Sequence, residues 1–459
     1  MIHIMQLDQT IFKAYDIRGI YPAQLNEALA EKIGKAFAVF IKKQSETGNR
    51  VKVALGRDTR LSSVVLYQAA MRGILSQGVD VEDIGLVSSD VMYFSVGHYE
   101  YDGGMMVSAS HNPKEYNGFK MIARGVRFIG INFGLSEIKD LVLKDRWQQD
   151  TIGIVTQKSV IDDYIKSVIS HIDIANMRPY TVVIDTGNGM AGVVARPLLE
   201  KLPCAYIPVF EDLDGNFPNR NPNPLTPGAL DQLVAEVKKT SADVGVAFDA
   251  DGDRMFLADE RGNVIRNDLI LAMVAKIVLQ KQPGSAIVYN ITCSHTTAEM
   301  IQEAGGKPVG SKTGHTFIKE AMKAHNAAFG GEVSGHFYFR ENFYSESGFL
   351  ALLMVLQAMS ETGKKLSELA GDMDRYFYQP EINMKVGDRD AVIAMITSKY
   401  ADGKHNELDG LTVEYDDYWF NVRKSNTEPL VRLVVEAKTQ ALRDQKIAEL
   451  LELIGGEVV

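Results

Sequence analysis

A strand followed by a polar turn and a helix-like apolar stretch occurs three times in this chain. The strands are the apolar runs that begin at residues 51, 181 and 286. Each is followed, roughly 40 to 65 residues later, by a second strand that leads into a loop rich in chemically active side chains. Strands that alternate with helical segments need crossover connections, which favour a parallel or mixed sheet. The repeat therefore predicts three tandem α/β domains.

The pattern changes after about residue 370. Strand-like runs at 411–415, 418–422 and 430–437 are spaced as hairpins, and a helical pattern follows at 441–453. This part of the chain predicts a smaller α+β domain. We therefore predict four domains around a central cleft. Their predicted bounds are 1–153, 154–256, 257–369 and 370–459.

Composition limits the classes of partner and compartment. The length of 459 residues alone suggests about three domains, and the net charge of −10 disfavours nucleic acid or an anionic membrane as a partner. Cys204 and Cys293 give neither a disulfide framework nor a metal-ligand spacing, so a reducing cytoplasm is expected. No signal peptide is apparent. The longest apolar run, 349–359, is too short to span a bilayer and predicts a core helix.

Three carboxylates are crowded at Asp249, Asp251 and Asp253, directly after the apolar run 244–248. This run predicts a buried strand, so the acids lie on the loop that leaves its carboxyl end. Two like charges about 4 Å apart repel by roughly 4 kcal/mol at an effective dielectric constant of about 20. The loop therefore needs bound protons or a bound cation. A set of oxygen ligands suits Mg²⁺ or Ca²⁺ better than Zn²⁺.

Two other interpretations of this loop compete with a metal site. A solvated acidic turn stays open, because short Asp/Gly clusters are usually turns. An EF-hand loop is suggested by Glu260, at the twelfth position counted from Asp249. It fails because Arg254 stands at the sixth position, where glycine is needed, and because the preceding segment is strand-like rather than helical.

A second distinctive loop spans residues 108–113. Its Asn112-Pro113 pair forces a turn and is expected to present Ser110 at a tip. The alternative is that Ser110 only caps a turn or a helix, the more frequent fate of a loop serine. A phosphorylated serine would carry a doubly charged group. Beside three carboxylates, such a group would require a divalent cation.

Basic residues mark three further segments. The loop at 423–429, with Arg432 close behind, combines guanidinium groups with hydroxyl and amide donors, which fits a phosphate dianion. A solvated basic turn is the alternative. Lys312 and His315 lie close together, and histidine is the residue type most suited to proton transfer near neutral pH. Lys120, which follows the serine loop, is by default a solvated lysine.

Together these motifs resemble the α-D-phosphohexomutase family, and most of all its bacterial phosphomannomutase/phosphoglucomutase branch. The resemblance covers nearly the whole chain and begins at Tyr15-Asp16-Ile17-Arg18-Gly19. The other matching segments are 56–60, 108–113, 214–219, 249–254, 312–315, 331–336 and 423–429.

The resemblance implies an enzyme that works through a phosphorylated serine. Ser110 would carry the phosphate, and Asp249, Asp251 and Asp253 would hold Mg²⁺ together with it. The phosphoserine would donate its phosphoryl group to a hexose 1- or 6-phosphate. The resulting hexose 1,6-bisphosphate would turn over within the cleft and return its other phosphate to the serine.

The resemblance also implies roles for other residues. Lys120 and His315 would be candidates for proton transfer, and Arg18 and Arg254 would stabilise charge. The residues implied to bind the substrate are Tyr15, Lys312, Glu332, Ser334, His336, Arg423, Ser425, Asn426, Thr427 and Arg432. Within this set, Glu332 and Ser334 would recognise the 3- and 4-hydroxyls of the sugar, and the loop at 423–429 would grip the phosphate that is not reacting.

Two positions bear on the choice of sugar. Thr292 stands where relatives often have a basic residue, which puts one sugar or phosphate contact in question. Val333 favours the glucose/mannose branch over the glucosamine mutases, which typically have glutamine there. The implied function is therefore a phosphomannomutase that also accepts glucose phosphates. The alternatives are a phosphoglucosamine mutase and a non-catalytic divalent-cation-binding protein. We expect a cytoplasmic monomer or weak dimer that acts on a phosphorylated hexose, with no nucleic acid or membrane partner.

Overall fold

The computed structural model describes residues 7–45, 50–148, 150–425 and 430–459. The chain divides into two compact units. The first unit contains the residues up to Ile265 together with Gly335–Ser367, and the second contains Arg266–Ser334 and Glu368–Val459. Within the described ranges, no helix is both long and apolar enough to cross a membrane.

The first unit begins with a mixed sheet flanked by helices. Its strands are β1 (Ile17–Ile20), β2 (Lys52–Arg57), β3 (Asp80–Leu86), β4 (Gly103–Val107), β5 (Tyr116–Ala123), β6 (Arg127–Phe128) and β7 (Val155–Gln157). Its helices are α1 (Glu27–Gln44), α2 (Ser63–Ser76), α3 (Ser89–His98) and α4 (Leu135–Lys144). The strand order is β1-β5-β4-β2-β3-β7, with β6 beside β5. β2 runs parallel to β3 and β4, whereas β5 runs antiparallel to β1 and β4.

Helix α1 shows why these segments become amphipathic helices. It begins after Asn26, whose side chain accepts a hydrogen bond from the backbone N–H of Leu29. Its buried residues include Ile33, Phe37 and Ile41, which recur at the four-residue spacing of one helix face. The helix therefore packs one apolar stripe into the core of the first sheet.

A second mixed sheet follows in the same unit. Its helices are α5 (Ile161–Ser170), α6 (Gly192–Leu199) and α7 (Asp231–Thr240). Its strands are β8 (Tyr180–Asp185), β9 (Cys204–Val209), β10 (Val244–Phe248), β11 (Met255–Asp259) and β12 (Val264–Ile265). The order is β12-β11-β10-β8-β9. β8 is parallel to both β9 and β10, and β11 turns back antiparallel to β10.

The third segment is divided between the two units. Its part in the second unit holds three parallel strands and three helices. These are α8 (Asn267–Lys281), β13 (Ala286–Asn290), α9 (His295–Glu303), β14 (Lys307–Ser311), α10 (His315–Ala324) and β15 (Phe329–Gly331). Its part in the first unit holds the antiparallel strands β16 (Phe337–Phe339) and β17 (Ser345–Glu346), followed by α11 (Gly348–Thr362). Every residue of α11 from Gly348 to Met359 is buried, so the predicted core helix is confirmed.

The last segment is an antiparallel sheet with two helices. Helix α12 (Leu366–Met373) precedes it. The elements of the sheet are β18 (Phe377–Lys385), α13 (Arg389–Lys399), β19 (Lys404–Asn406), β20 (Leu411–Glu414), β21 (Tyr418–Lys424), β22 (Leu430–Ala437), α14 (Gln440–Ile454) and β23 (Glu457–Val458). The strand order is β19-β20-β21-β22-β18-β23. The predicted hairpin strands and final helix are confirmed.

The predicted fold class is confirmed by these sheets: α/β segments with mixed sheets, then a smaller α+β segment. Two of the predicted domain boundaries fall inside elements, the one after residue 256 in β11 and the one after residue 369 in α12. Because β11 and β12 pair in the sheet of β10, that sheet extends to Ile265. The division into four domains around a cleft, with the stated bounds, stays a prediction.

Arg220 connects the ends of two strands of the second sheet. Its Nε lies 2.8 Å and 2.9 Å from the two carboxylate oxygens of Asp185 at the end of β8. Its Nη2 donates to the carbonyl of Phe248, the last residue of β10, at 2.6 Å. Both side chains of this ion pair are buried, so the carboxylate of Asp185 depends on the guanidinium for compensation.

We predict that Arg220→Met lowers the free energy of unfolding by about 3–5 kcal/mol, because it leaves a buried carboxylate without its cation. Urea unfolding of the two proteins measures the difference. The control is Arg196→Met, because the ion pair of Arg196 with Glu211 is half exposed and such pairs contribute about 0–1 kcal/mol. Equal losses in both variants would contradict the prediction.

Candidate active site

The three aspartates of the 249–253 loop are buried in the turn between β10 and β11. One carboxylate oxygen from each of Asp249, Asp251 and Asp253 lies within 4.8 Å of those of the other two. The interpretation as a solvated acidic turn is therefore wrong, because none of these carboxylates is hydrated at the surface. The β-hairpin context also agrees with the exclusion of an EF-hand.

Lys120 supplies the positive charge nearest to this loop. Its Nζ lies 2.5 Å from Asp251 Oδ2 and 2.6 Å from Asp253 Oδ2. The expectation of a solvated lysine is wrong, because β5 directs this side chain into the interior, where it is 12% exposed. Burial opposes the ammonium charge, but the carboxylates of Asp251 and Asp253 outweigh it and raise the pKa of Lys120 well above its usual value.

The remaining carboxylates respond to burial and to each other. Burial and the neighbouring Asp253 and Asp251 raise the pKa of Asp249 well above its usual value. Burial acts in the same direction on Asp253, but Lys120 and His336 outweigh it and hold the pKa of Asp253 well below its usual value. A single ammonium group therefore does not neutralise all three carboxylates.

The donor set of this loop fits a divalent cation. Asp251 Oδ1 and Asp253 Oδ1 are buried and accept no hydrogen bond from any residue that the structure describes. Buried acceptors left in this state are destabilising unless a ligand satisfies them. Three clustered carboxylate oxygens are the hard ligands that Mg²⁺ and Ca²⁺ prefer. The acidic cluster is thus able to hold such an ion.

Ser110 lies against the acidic loop. Its Oγ is 3.3 Å from Asp249 Oδ2 and 3.2 Å from His111 Nδ1. The backbone of Ser110 is in the left-handed region, with φ of 50°, and its N–H donates to Ser108 Oγ at 2.9 Å. The turn that presents Ser110 is not exposed to solvent, because Ser110 is 2% exposed. The turn instead aims the hydroxyl inward, at the carboxylates.

Arg60 holds the serine loop in this position. Its Nη2 donates to the carbonyls of Ser110 and Asn112, both at 2.6 Å, and its Nη1 donates to that of Pro113 at 2.7 Å. Asp58 accepts from Arg60 Nε at 3.2 Å. Arg60 is fully buried and was not among the predicted site residues. The motif at 56–60 was the available signal, but it does not show which loop the guanidinium would bind.

Two predicted arginines and an unpredicted histidine complete the surroundings of Ser110. Arg18 Nη1 donates to Asn112 Oδ1 at 2.5 Å. Arg254 Nη2 lies 2.8 Å from His111 Nδ1, and its Nε lies 3.7 Å from Asp249 Oδ2. Burial and the charge of Arg254 lower the pKa of His111 well below its usual value, so the imidazole is neutral and its Nδ1 accepts from the guanidinium.

His336 also approaches the acidic loop. Its Nε2 is 3.6 Å from Asp253 Oδ1, and the two side chains belong to the same compact unit. Predicted as a substrate-binding residue, it is placed beside a predicted metal ligand. Glu346, which was not predicted, groups with His336 and Asp253 in a buried cluster of metal-ligand type. Tyr15, also predicted to bind substrate, is half-buried in this unit.

A buried acid lies in the helix beside this loop. Asp90, in the first turn of α3, accepts hydrogen bonds from Ser88 Oγ and, at 2.5 Å, from the hydroxyl of Tyr164. The same hydroxyl is 2.7 Å from Ser347 Oγ, so the network joins α3 to α5 and to the start of α11. Burial raises the pKa of Asp90 to about 7.

In the second unit, the predicted sugar-recognition loop is held by hydrogen bonds. Glu332 is buried, and its Oε1 accepts from the backbone N–H of Gly314 at 2.7 Å. Asn290 Oδ1 accepts from the backbone N–H of Val333 at 3.0 Å. Thr292, which stands where relatives often have a basic residue, accepts from Asn290 Nδ2 at 2.5 Å. At this position the chain therefore has a buried residue that orients Asn290.

The segment at 312–315 lies near this loop. His315 is the first residue of α10. Lys312 Nζ lies 5.8 Å from the ring centroid of Phe317. The backbone N–H of Thr313 donates to Asp409 Oδ2 at 3.0 Å, which ties the segment to the last sheet of the same unit. The hydrogen bond from the N–H of Gly314 to Glu332 brings this segment to the sugar-recognition loop, on which Ser334 also lies.

Two predicted phosphate-binding arginines share one carboxylate in the last sheet. Arg423 Nη2 donates to Glu381 Oε2 at 2.5 Å, and Arg432 Nη1 lies 3.1 Å from Glu381 Oε1. The two arginines are register partners on β21 and β22. Arg423 is buried, so a solvated basic turn does not describe it. Glu381 was not predicted, because no sequence pattern connects it with the hairpin.

The remaining predictions for this hairpin concern its loop. The backbone N–H of Ser425 donates to the carbonyl of Leu430 at 2.9 Å, which closes the loop, and the side chain is buried. Asn426 and Thr427 lie outside the described residues.

Models of known protein families match the chain in four consecutive segments. They are described as phosphoglucomutase/phosphomannomutase alpha/beta/alpha domain I at residues 9–148, domain II at 162–262, domain III at 266–376, and the C-terminal domain at 381–453. The order of the segments is that of the sheets described above.

Individual relatives agree with the family models over the full length. A protein of Xanthomonas campestris pv. campestris named "Phosphohexose mutases" is 39% identical, with 96% of this chain and 98% of the relative covered. A phosphomannomutase of Escherichia coli is 38% identical, with 97% and 99% covered. The crystal structure of a phosphoglucomutase/phosphomannomutase family protein from Burkholderia thailandensis superposes with a TM-score of 0.89 at 33% identity, covering 99% of this chain and all of that one.

We predict that Lys120→Met lowers the free energy of unfolding in EDTA by about 3–5 kcal/mol, because two buried carboxylates lose their ammonium partner. Excess Mg²⁺ is expected to restore part of this loss, since a cation replaces the missing charge. Urea unfolding with EDTA or with Mg²⁺ measures both effects. The control is Lys166→Met, whose exposed ion pair with Asp163 contributes about 0–1 kcal/mol. A variant as stable as wild type in EDTA would refute the role assigned to Lys120.

We predict a pH-dependent effect of Asp90→Asn on stability. The pKa of Asp90 is about 7 in the folded protein, against an ordinary value of 3.8, so between these values only the folded state holds the proton. Its contribution to stability is therefore complete below the lower value and is lost as pH rises through the upper one. Across this window the stability of the asparagine variant relative to wild type should rise by about 1.4 kcal/mol per pH unit.

The control for this titration is Asp163→Asn. Hydrogen bonds from Tyr99 and Lys166 lower the pKa of the half-buried Asp163, so its contribution changes only below the window used for Asp90. Unfolding free energies measured from pH 4 to pH 8 on wild type and both variants make the comparison. Parallel curves for wild type and Asp90→Asn would show that Asp90 does not titrate in this way.

Proposed function

Because this chain belongs to the phosphoglucomutase/phosphomannomutase family, we propose that it interconverts mannose 6-phosphate and mannose 1-phosphate and also accepts the glucose phosphates. Membership of this family makes it a mutase, an isomerase that acts on phosphorylated hexoses. The observation that carries the mechanism is the 3.3 Å approach of Ser110 Oγ to a carboxylate of the acidic loop.

The proposed reaction proceeds through phosphorylated Ser110. A hydroxyl oxygen of the hexose monophosphate attacks the phosphorus and gives its proton to a base of the protein, while the bond from phosphorus to Ser110 Oγ breaks and Ser110 Oγ takes up a proton. A hexose 1,6-bisphosphate results. In the second half-reaction Ser110 Oγ gives up its proton and attacks the other phosphate of this intermediate. The bond from that phosphorus to the sugar oxygen breaks and the sugar oxygen takes up a proton, so the phosphoserine is regenerated and the isomeric monophosphate is released. Such transfers depend mainly on positioning and on charge stabilisation.

The charges around Ser110 suit this chemistry. Asp249, Asp251 and Asp253 would hold Mg²⁺ together with the serine phosphate, and the bound ion would supply positive charge to the transferring phosphoryl oxygens. The two buried carboxylate oxygens without a hydrogen bond support this assignment. Arg18 and Arg254 approach the serine loop and would stabilise the same charge. Lys120 is proposed as a candidate for the proton transfer, because its ammonium group contacts the carboxylates of Asp251 and Asp253 in the acidic loop.

The second unit would contribute substrate recognition. Arg423 and Arg432 converge on Glu381, a geometry that suits one dianionic phosphate in place of the carboxylate. Ser425, Asn426 and Thr427 would add hydrogen bonds to that phosphate. The remaining proposed contacts with the sugar or its phosphates are Tyr15, Lys312, Glu332, Ser334 and His336, and His315 is proposed as a second candidate for proton transfer.

Mannose and glucose phosphates are proposed ahead of glucosamine phosphate. The loop at 331–336 has the apolar Val333 before its serine. The backbone N–H of Val333 donates to Asn290 Oδ1. A phosphoglucosamine mutase is the closest alternative. We also propose a cytoplasmic location, because both cysteines are free thiols, and a monomer or weak dimer.

Intact-mass measurement tests the mechanism. Wild type incubated with glucose 1,6-bisphosphate should gain one phosphate, which peptide analysis should locate on Ser110, and Ser110→Ala should gain none and lose mutase activity. The control is Ser95→Ala, which removes another buried serine from the same unit and should be phosphorylated as wild type. A wild-type protein that never acquires phosphate would eliminate the mutase mechanism and leave a non-catalytic cation-binding protein.

The same preparation tests the substrate. We expect kcat/KM for mannose 1-phosphate and glucose 1-phosphate to exceed that for glucosamine 1-phosphate, because Val333 presents no amide to the sugar. Glucosamine 1-phosphate as the fastest substrate would reassign the enzyme as a phosphoglucosamine mutase.

A further inference from the structure

Ser89, the first residue of α3, lies between the carboxylate of Asp251 and the ammonium group of Lys120. Its Oγ donates to Asp251 Oδ2 at 2.5 Å, and its backbone N–H donates to the carbonyl of Asp251 at 2.9 Å. Lys120 Nζ lies 3.4 Å from the same hydroxyl. Ser89 is fully buried, so no water competes for these hydrogen bonds. One serine therefore fixes both the backbone and the carboxylate of Asp251.

The two oxygens of Asp251 have different surroundings as a result. Oδ2 accepts from Ser89 Oγ and from Lys120 Nζ. Oδ1 is buried and accepts no hydrogen bond within the described part of the chain. A carboxylate held through one oxygen cannot rotate without breaking those bonds. The other oxygen is thereby kept in one direction. One carboxylate oxygen of Asp251 lies within 4.8 Å of one from Asp249 and one from Asp253.

We infer that Ser89 is a positioning residue that aims Asp251 Oδ1 at a divalent cation in the acidic loop. The inference rests on the cation site of the proposed function. Ser89 is not itself a ligand in this arrangement, because its hydroxyl is engaged with the carboxylate. Loss of a group that hydrogen-bonds a metal ligand typically weakens metal affinity or activity by about 10- to 100-fold.

The chain offers a matched control on the same helix. Ser95 is also fully buried, but its Oγ donates to the carbonyl of Val91, one turn earlier in α3, at 2.8 Å. Ser89→Ala and Ser95→Ala therefore remove the same atom from the same helix at equal burial. They differ in the group that loses its hydrogen bond. Neither substitution adds an atom to the core, so both proteins are expected to fold.

Mn²⁺ binding to the purified proteins tests the inference without turnover. Free Mn²⁺ is measured by its electron paramagnetic resonance signal during titration of metal-free wild type, Ser89→Ala and Ser95→Ala. We expect Ser89→Ala to raise the Kd by about 10-fold or more and Ser95→Ala to leave it unchanged. In activity assays, Ser89→Ala should raise the Mg²⁺ concentration for half-maximal rate more than it lowers kcat at saturating Mg²⁺.

The possible outcomes distinguish the role of Ser89 from the proposed cation site. A Ser89→Ala protein that binds Mn²⁺ as tightly as wild type overturns the role of Ser89, as does an equal loss in Ser95→Ala. Wild type that binds no Mn²⁺ overturns the proposed cation site itself. Unfolding midpoints in EDTA, expected to be similar for both variants, show that any difference in Kd does not come from a damaged fold.

Discussion

The compensation of three buried carboxylates is the constraint on which the first unit depends. Asp249, Asp251 and Asp253 lie within a few ångströms of one another on a β-hairpin turn, where water does not screen them. Lys120 reaches two of them from β5, and Ser89 reaches one from the start of α3. The acidic turn of the second sheet is thus stabilised by one side chain from a strand of the first sheet and one from a helix that flanks it.

The serine loop is also held by a buried charged group, which in this case is a guanidinium. Its backbone carbonyls converge on the guanidinium of Arg60, which is buried and paired with Asp58. A turn that would otherwise project into solvent is folded inward, and the hydroxyl of Ser110 then lies beside Asp249. The hydroxyl of Ser110, the three carboxylates and a set of guanidinium groups are therefore assembled by hydrogen bonds that also hold the fold together.

The features that could be predicted from the sequence are those that depend on patterns among neighbouring residues. The apolar runs at 244–248 and 349–359 indicated a buried strand and a buried helix because burial imposes its period on neighbouring residues, and both are confirmed. The acidic and serine loops could be singled out because their residue types are unusual at such short spacing. The burial of these loops could not be predicted, since it depends on contacts made by Arg60 and by Lys120. Each of these contacts joins residues far apart in the chain.

The same distinction explains the residues that were missed. His111 adjoins Ser110 in sequence, yet its pairing with Arg254 exists only in the fold. Glu381 precedes its partner Arg423 by 42 positions and has no motif of its own. Its position gives the basic hairpin a property that charge counting would not suggest. An anion that bound to Arg423 and Arg432 would have to displace the carboxylate of Glu381, so its binding free energy would be that of an exchange between two anions.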